Sequence, residues 1–213
     1  MTEHPILFSA PMVRAILEGR KTMTRRELKP QPWLTDAGPF LCFQQKGEKA
    51  GKAWLWPNAK DQVFAELKYQ VGDRLWVREG FAIQGFLQLP LSDRQPLEYL
   101  ADIPDRQQIE DYTGKPSIHM PRWASRITLE VTAVKIERLQ DISEDDAKAE
   151  GIHLWPAPRE FGTSRRFAAD YNNGPYGNDY RHAFSLLWER INGPGSLEAN
   201  PWVAAYSFKR IEQ

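Results

Sequence analysis

Arg126-Ile-Thr-Leu-Glu-Val-Thr-Ala-Val134 alternates between polar and apolar side chains as far as Ala133. Ile127, Leu129 and Val131 fall on one face, and Thr128, Glu130 and Thr132 fall on the other. That period of two predicts a half-buried strand. Arg74–Glu79, RLWVRE, repeats the pattern after the Gly72-Asp73 turn, and Trp202–Ile211 repeats it again. Arg20–Arg26, RKTMTRR, with its alternating threonines, suits a further extended segment.

Short helices are predicted between these strands. Ser9 or Ala10 caps the first, Pro11 sits in its opening turn and Gly19 stops it, with Val13, Ile16 and Leu17 on one face. Ser143–Glu150 is capped by Ser143, has Asp146 at a weak capping-box position and ends at Gly151. Asp179–Asn192 carries the strongest helical stripe, Phe184, Leu187, Trp188 and Ile191. Strands and helices do not alternate as βαβ units, so the expected class is α+β with a mainly antiparallel sheet or small barrel.

The 213 residues suit one domain with insertions. Three loop-rich insertions are expected, at about 30–69, 84–116 and 153–180. Pro30, Pro32, Pro39 and Pro57 interrupt the first, where Trp33, Trp54 and Trp56 are expected to cover the core. Each insertion is small for a core of its own, so all three are expected to be layers on one domain.

Lysine and arginine total 28, as do aspartate and glutamate, so bulk charge does not recruit nucleic acid or membrane. No apolar run reaches the roughly 18 residues of a membrane span, and no basic leader precedes Ile6–Phe8. A cytoplasmic location is the expectation. Cys42 stands alone, so no intrachain disulfide forms. The four histidines show no ligand spacing, and there is no Walker or GxGxxG sequence. Neither a metal nor a cofactor is expected.

Charge is nevertheless uneven. Arg14–Lys29 holds six basic residues against two acidic ones, a local +4. Such a run is ordinarily a solvated face, and the sharper alternative is a phosphate-binding patch. Within it, Lys21 and Thr24 suit a base and a hydroxyl nucleophile. In a regular strand these two point to opposite faces, so their cooperation requires a bulge or a turn after Gly19. Glu150 closes an acidic helix, where the helix dipole disfavours its ionised form unless a cation sits opposite. That makes it a candidate proton donor; the plainer reading is an exposed helix-end glutamate. Trp76 with Arg74 and Arg78, and Trp123 with Arg122, are suited to stacking a base or to covering the core.

Pro5–Arg26, Val71–Glu79, Pro116–Ile152 and Asn200–Ile211 together resemble the ASCH domain family, most closely its prophage-encoded enterobacterial members. The resemblance covers 5–29, 70–83, 117–152 and 184–211, and GRKTxTRR with GDxLWVRE carries most of it. It implies a PUA-like small β-barrel flanked by short helices, with a cleft for RNA or a modified nucleoside. One branch of that superfamily hydrolyses the acetamide of N4-acetylcytidine. By that resemblance Lys21 is the proton acceptor, Thr24 the nucleophile and Glu150 the proton donor. Arg20, Arg25, Arg26, Trp76, Arg78, Glu79, Arg122 and Trp123 are the expected ligand-binding residues. This chain is about twice the length of those small hydrolases, so the substrate stays open. Three activities compete: an amidohydrolase of an acylated cytidine-like ligand, a non-catalytic module for RNA or a modified base, and a ribonuclease.

Overall fold

The computed structural model describes residues 2–29, 31, 33–35, 38–42, 53–58, 61–83, 96–103, 114–155, 166–168 and 176–211. Its strands begin with β1 (Glu3–Leu7), β2 (Met23–Glu27), β3 (Trp33–Thr35), β4 (Gly38–Cys42), β5 (Ala53–Asn58), β6 (Asp61–Glu66) and β7 (Arg74–Arg78). They continue with β8 (Phe81–Ile83), β9 (Pro96–Tyr99), β10 (Gly114–Lys115), β11 (Thr128–Arg138), β12 (His153–Trp155), β13 (Arg166–Ala168) and β14 (Trp202–Ile211). The α-helices are α1 (Ala10–Leu17), α2 (Glu144–Ala149) and α3 (Tyr180–Asn192). No helix among the described residues is long and apolar enough to cross a membrane.

The architecture is α+β, around a five-stranded mixed sheet of order β1-β7-β11-β14-β2. The four strands expected from alternation all lie in it, joined by β1, which pairs parallel with β7. β11 and β14 form its antiparallel spine, from Thr128 opposite Ile211 to Arg138 opposite Trp202. The register shifts between Val131 and Ala133. Leu129 and Val131 are buried before the shift, and Val134 and Ile136 after it. One extra residue reverses the parity, so the same face stays apolar although the sequence changes phase.

Each face carries its own core. Ile6, Phe8, Leu75, Val77, Leu129 and Tyr206 pack with Val13 and Ile16 of α1. Val203 packs with Ala147 of α2 and with Phe184 and Trp188 of α3. Ile191, expected in the α3 stripe, is instead 56% exposed.

The barrel implied by the family resemblance does not close. β1 and β2 are the outer strands, and no ladder joins them among the described residues. A side chain occupies the seam instead: Arg26 Nη2 donates to the Leu7 carbonyl at 2.8 Å.

The expected insertions hold more order than loops. β3–β6 form a separate four-stranded sheet of order β3-β4-β6-β5. Pro39 falls within the irregular part of the β3–β4 ladder, and Pro57 lies on the outer strand β5, where a missing amide is tolerated. The expectation that Trp33, Trp54 and Trp56 cover the core concerns side chains outside the described part. β9 and β10 flank β8, and β12 pairs with β13.

Candidate functional site

Two helix ends bring the first group of side chains together. α1 stops at Glu18, and Gly19 turns the chain with φ +74°. The amides of Arg20 and Lys21 then both donate to the Ala15 carbonyl, at 2.8 and 2.9 Å. Lys21 therefore sits before β2 begins, in an isolated bridge with Glu150. α2 is capped by Ser143, whose hydroxyl accepts the Asp146 amide at 3.1 Å, and ends at Glu150. Gly151 follows with φ +98°. A Cβ there would lie 3.3 Å from the Cβ atoms of Ala15 and Lys21, so glycine both permits the turn and lets the two helix ends approach.

Lys21 Nζ donates to Glu150 Oε2 at 2.7 Å and to the Glu150 carbonyl at 2.8 Å. The two side chains are 1% and 5% exposed, so this is a dry ion pair. Burial pulls the Lys21 ammonium below the ordinary lysine value; Glu150 opposes the shift, and Arg26 and Arg25 add to it. The competition between the arginines and Glu150 is thus decided by desolvation.

Glu150 does not stand alone at its helix end. Arg25 Nη1 donates to its second oxygen at 3.2 Å. Each Glu150 oxygen thus faces a cation at the negative end of α2. Arg25 is itself held by Glu137 Oε1 at 2.6 Å and Asp146 Oδ2 at 2.7 Å, and Lys135 reaches Glu137 at 2.6 Å. The Asp146 carboxylate is thus engaged by Arg25, while its backbone amide completes the helix cap.

Lys21 lies before β2, so the strand alternation that would set residues 21 and 24 on opposite faces does not extend to it. Thr24 pairs with Tyr206 and Arg26 with Ala204, which places both on the face that carries Tyr206. Lys21 Nζ and the Arg26 guanidinium lie 5.8 and 5.5 Å from the Phe8 ring centre. Thr24 is buried, and its hydroxyl makes no hydrogen bond to Lys21 among the described residues. Thr24, Arg25, Arg26 and Glu150 line a cavity of about 80 Å³ closed by Phe184 and Trp188. A second cavity, about 400 Å³, lies between β1 and β2 and includes Arg26, Lys68, Tyr69 and Tyr206. Arg26, Glu27 and Asn192 line both.

The remaining expected ligand residues divide. Arg20 turns away, to Glu18, the Gly151 carbonyl and His153. Trp76 carries Arg78 and Arg122 at 5.3 and 5.9 Å from its ring. Arg78 donates to the Ile118 carbonyl, and Arg122 pairs with Glu3. Trp123 is exposed beside them. Glu79 is buried against Arg126, which also holds Asp102, and desolvation raises the Glu79 carboxyl despite Arg126. No contact joins this second group to Lys21 or Glu150 among the described residues. On β7, Leu75 and Val77 take the core face while Trp76 and Arg78 take the other; Glu79 follows the strand and is buried with Arg126.

Sequence reasoning missed Lys68, Tyr69, Tyr206 and the carboxylates around Arg25. Tyr206 was open to discovery, since it shares the β14 parity of Ala204 and Phe208. Lys68 and Tyr69 precede β7 without periodicity, and only the fold brings them to the seam. Among the described residues no group of three or more His, Cys, Asp or Glu side chains is placed to hold a metal ion. No family model, curated protein or solved structure matches the chain.

Proposed function

We propose that this is an ASCH-like amidohydrolase that removes an acyl group from the exocyclic amine of a cytidine-like ligand. The observation that carries this reading is the dry Lys21–Glu150 pair, 2.7 Å apart, beside a cavity lined by Thr24. The resemblance assigns a base, an acid and a nucleophile to these three residues.

The pair supplies both required protonation states in one event. Moving a proton from Lys21 Nζ to Glu150 leaves a neutral amine and a carboxylic acid, with no net change in charge. Desolvation favours that neutral arrangement, and Arg25 opposes it. The Thr24 hydroxyl then attacks the acyl carbon while Lys21 takes its proton. The carbon–nitrogen bond breaks as Glu150 gives its proton to the leaving amine. Lys21 is again an ammonium, Glu150 a carboxylate and Thr24 an ester. A second transfer within the pair resets it. Water attacks the ester, its proton goes to Lys21, and Glu150 protonates the departing Thr24 oxygen.

The second reading is a module that binds a modified base without turnover. One observation favours it: Thr24 and Lys21 share no hydrogen bond among the described residues, and Lys21 and Arg25 are already paired with Glu150, Glu137 and Asp146. The test is incubation of the protein with N4-acetylcytidine, following cytidine and acetate by chromatography. Thr24→Ala and Lys21→Ala should each lose at least ~100-fold in kcat/KM. Wild-type rates in both variants refute these roles; a wild-type protein that binds the nucleoside and never cleaves it establishes the module.

A further inference from the structure

Arg26 lines both cavities described above without a carboxylate of its own. Arg25 holds three carboxylates, Arg126 two and Arg122 one. Arg26 has no carboxylate within ion-pair distance among the described residues. It lies against the Phe8 ring, and one of its nitrogens donates to the Leu7 carbonyl. Burial lowers its proton affinity, with only Tyr69, Glu150 and Tyr206 acting electrostatically in its favour. A half-buried guanidinium with no carboxylate in contact keeps donor capacity for an anion that enters the cavity.

The surroundings fit such an anion. Lys68 stands 5.3 Å from the Tyr69 ring centre and has no carboxylate partner among the described residues. Lys29 has only Glu27, 3.5 Å away and itself solvent-accessible, which is a weak competitor. Among the described residues, three cations and one carboxylate therefore line a cavity of about 400 Å³, within the range of small-ligand pockets. Tyr206 and Tyr69, edge to face at 5.2 Å, form its inner wall.

We propose that the cavity between β1 and β2 is an anion subsite that takes the phosphate of a nucleoside 5′-monophosphate, which makes the ligand a nucleotide rather than a nucleoside. The Arg26 fork and the two ammonium groups match a phosphomonoester in charge and donor number. Arg26, Glu27 and Asn192 also line the Thr24 cavity, so the phosphate site adjoins it. The choice of a cytidine-like base rests on the function proposed above; the phosphate site rests on Arg26 and its cavity.

Calorimetric titration of the full chain with cytidine and with cytidine 5′-monophosphate tests the subsite. The nucleotide should bind at least about tenfold tighter, equivalent to about 1.4 kcal/mol, and the margin should shrink as salt rises. Ribose 5-phosphate against ribose repeats the comparison without a base. Arg26→Gln should cut both margins below about threefold, and Lys68→Gln, at an exposed site, should reduce them without a change in the urea midpoint. Equal affinity within both pairs of ligands overturns the proposal, as do margins that survive both substitutions. A 5′-phosphorylated RNA tetranucleotide that binds while neither monophosphate shows a margin also overturns it, in favour of strand binding. A ribose 5-phosphate margin without hydrolysis of either N4-acetylcytidine or its 5′-monophosphate supports the subsite and refutes the amidohydrolase; hydrolysis without any phosphate margin does the reverse.

Discussion

Replacing Lys21 and Glu150 singly and together should produce strongly non-additive losses of stability. At 2.7 Å, with an effective dielectric of about 20, the attraction of this pair is about 6 kcal/mol. Most of that offsets the cost of taking both charges out of water. Lys21→Met leaves Glu150 with Arg25 still at 3.2 Å, so its cost belongs near the lower end for a broken buried pair, about 3 kcal/mol. Glu150→Leu strands Lys21 with only a backbone carbonyl and frees one arm of Arg25, so about 5 kcal/mol is expected. The double variant removes both charges, and about 0–2 kcal/mol is expected. Urea unfolding at pH 7, followed by tryptophan fluorescence with linear extrapolation, measures all three. A double variant that loses the sum of the single losses refutes the idea that these charges support one another.

Three further outcomes follow from individual contacts. Lys21 has a folded value below its unfolded value of about 10.4, so the unfolded chain holds the extra proton in that interval. Stability should therefore rise with pH from the folded Lys21 value up to about 10.4, and Lys21→Met should remove that slope in pH-dependent urea melts. A Cβ on Gly177 would meet the Ala183 backbone nitrogen at 2.2 Å, so Gly177→Ala must push the Phe167–Gly177 bridge off α3. A loss of about 1–3 kcal/mol is expected in the same unfolding assay. Thr24→Ala should end hydrolysis of N4-acetylcytidine in the chromatographic assay and lower stability by no more than about 2 kcal/mol, because it removes one small buried side chain.

The sheet was legible where burial on one face writes a period of two into the chain, as in β7, β11 and β14. β1 left no such trace. Of Glu3–Leu7 only Ile6 is buried, and its pairing with β7 is non-local and parallel. β3–β6 were hidden because Pro39 and Pro57 read as breaks, although an irregular or outer position absorbs each. At the site, the RKTMT motif and the position of Glu150 at a helix end marked three residues that the fold places around two adjoining helix termini. The cations of Lys21 and Arg25 opposite Glu150 were not legible, because they depend on how α1 and α2 meet. Arg78 and Glu79 are adjacent in the motif but have different partners, the Ile118 carbonyl for Arg78 and Arg126 for Glu79, which the motif alone does not reveal.

The order in which this site can be assembled follows from the position of β14. Thr24 and Arg26 take their register from Tyr206 and Ala204, so the segment that fixes them is separated from them by nearly the whole sequence. During synthesis, β2 emerges early and waits without its neighbour, exposing backbone donors and acceptors on both sides. Residues 202–211 must leave the ribosome before β2 can join β11 through β14. Closing so large a loop is a slow step in folding, and it makes the emerging N-terminal segment dependent on protection from wrong strand partners until the last ladder forms.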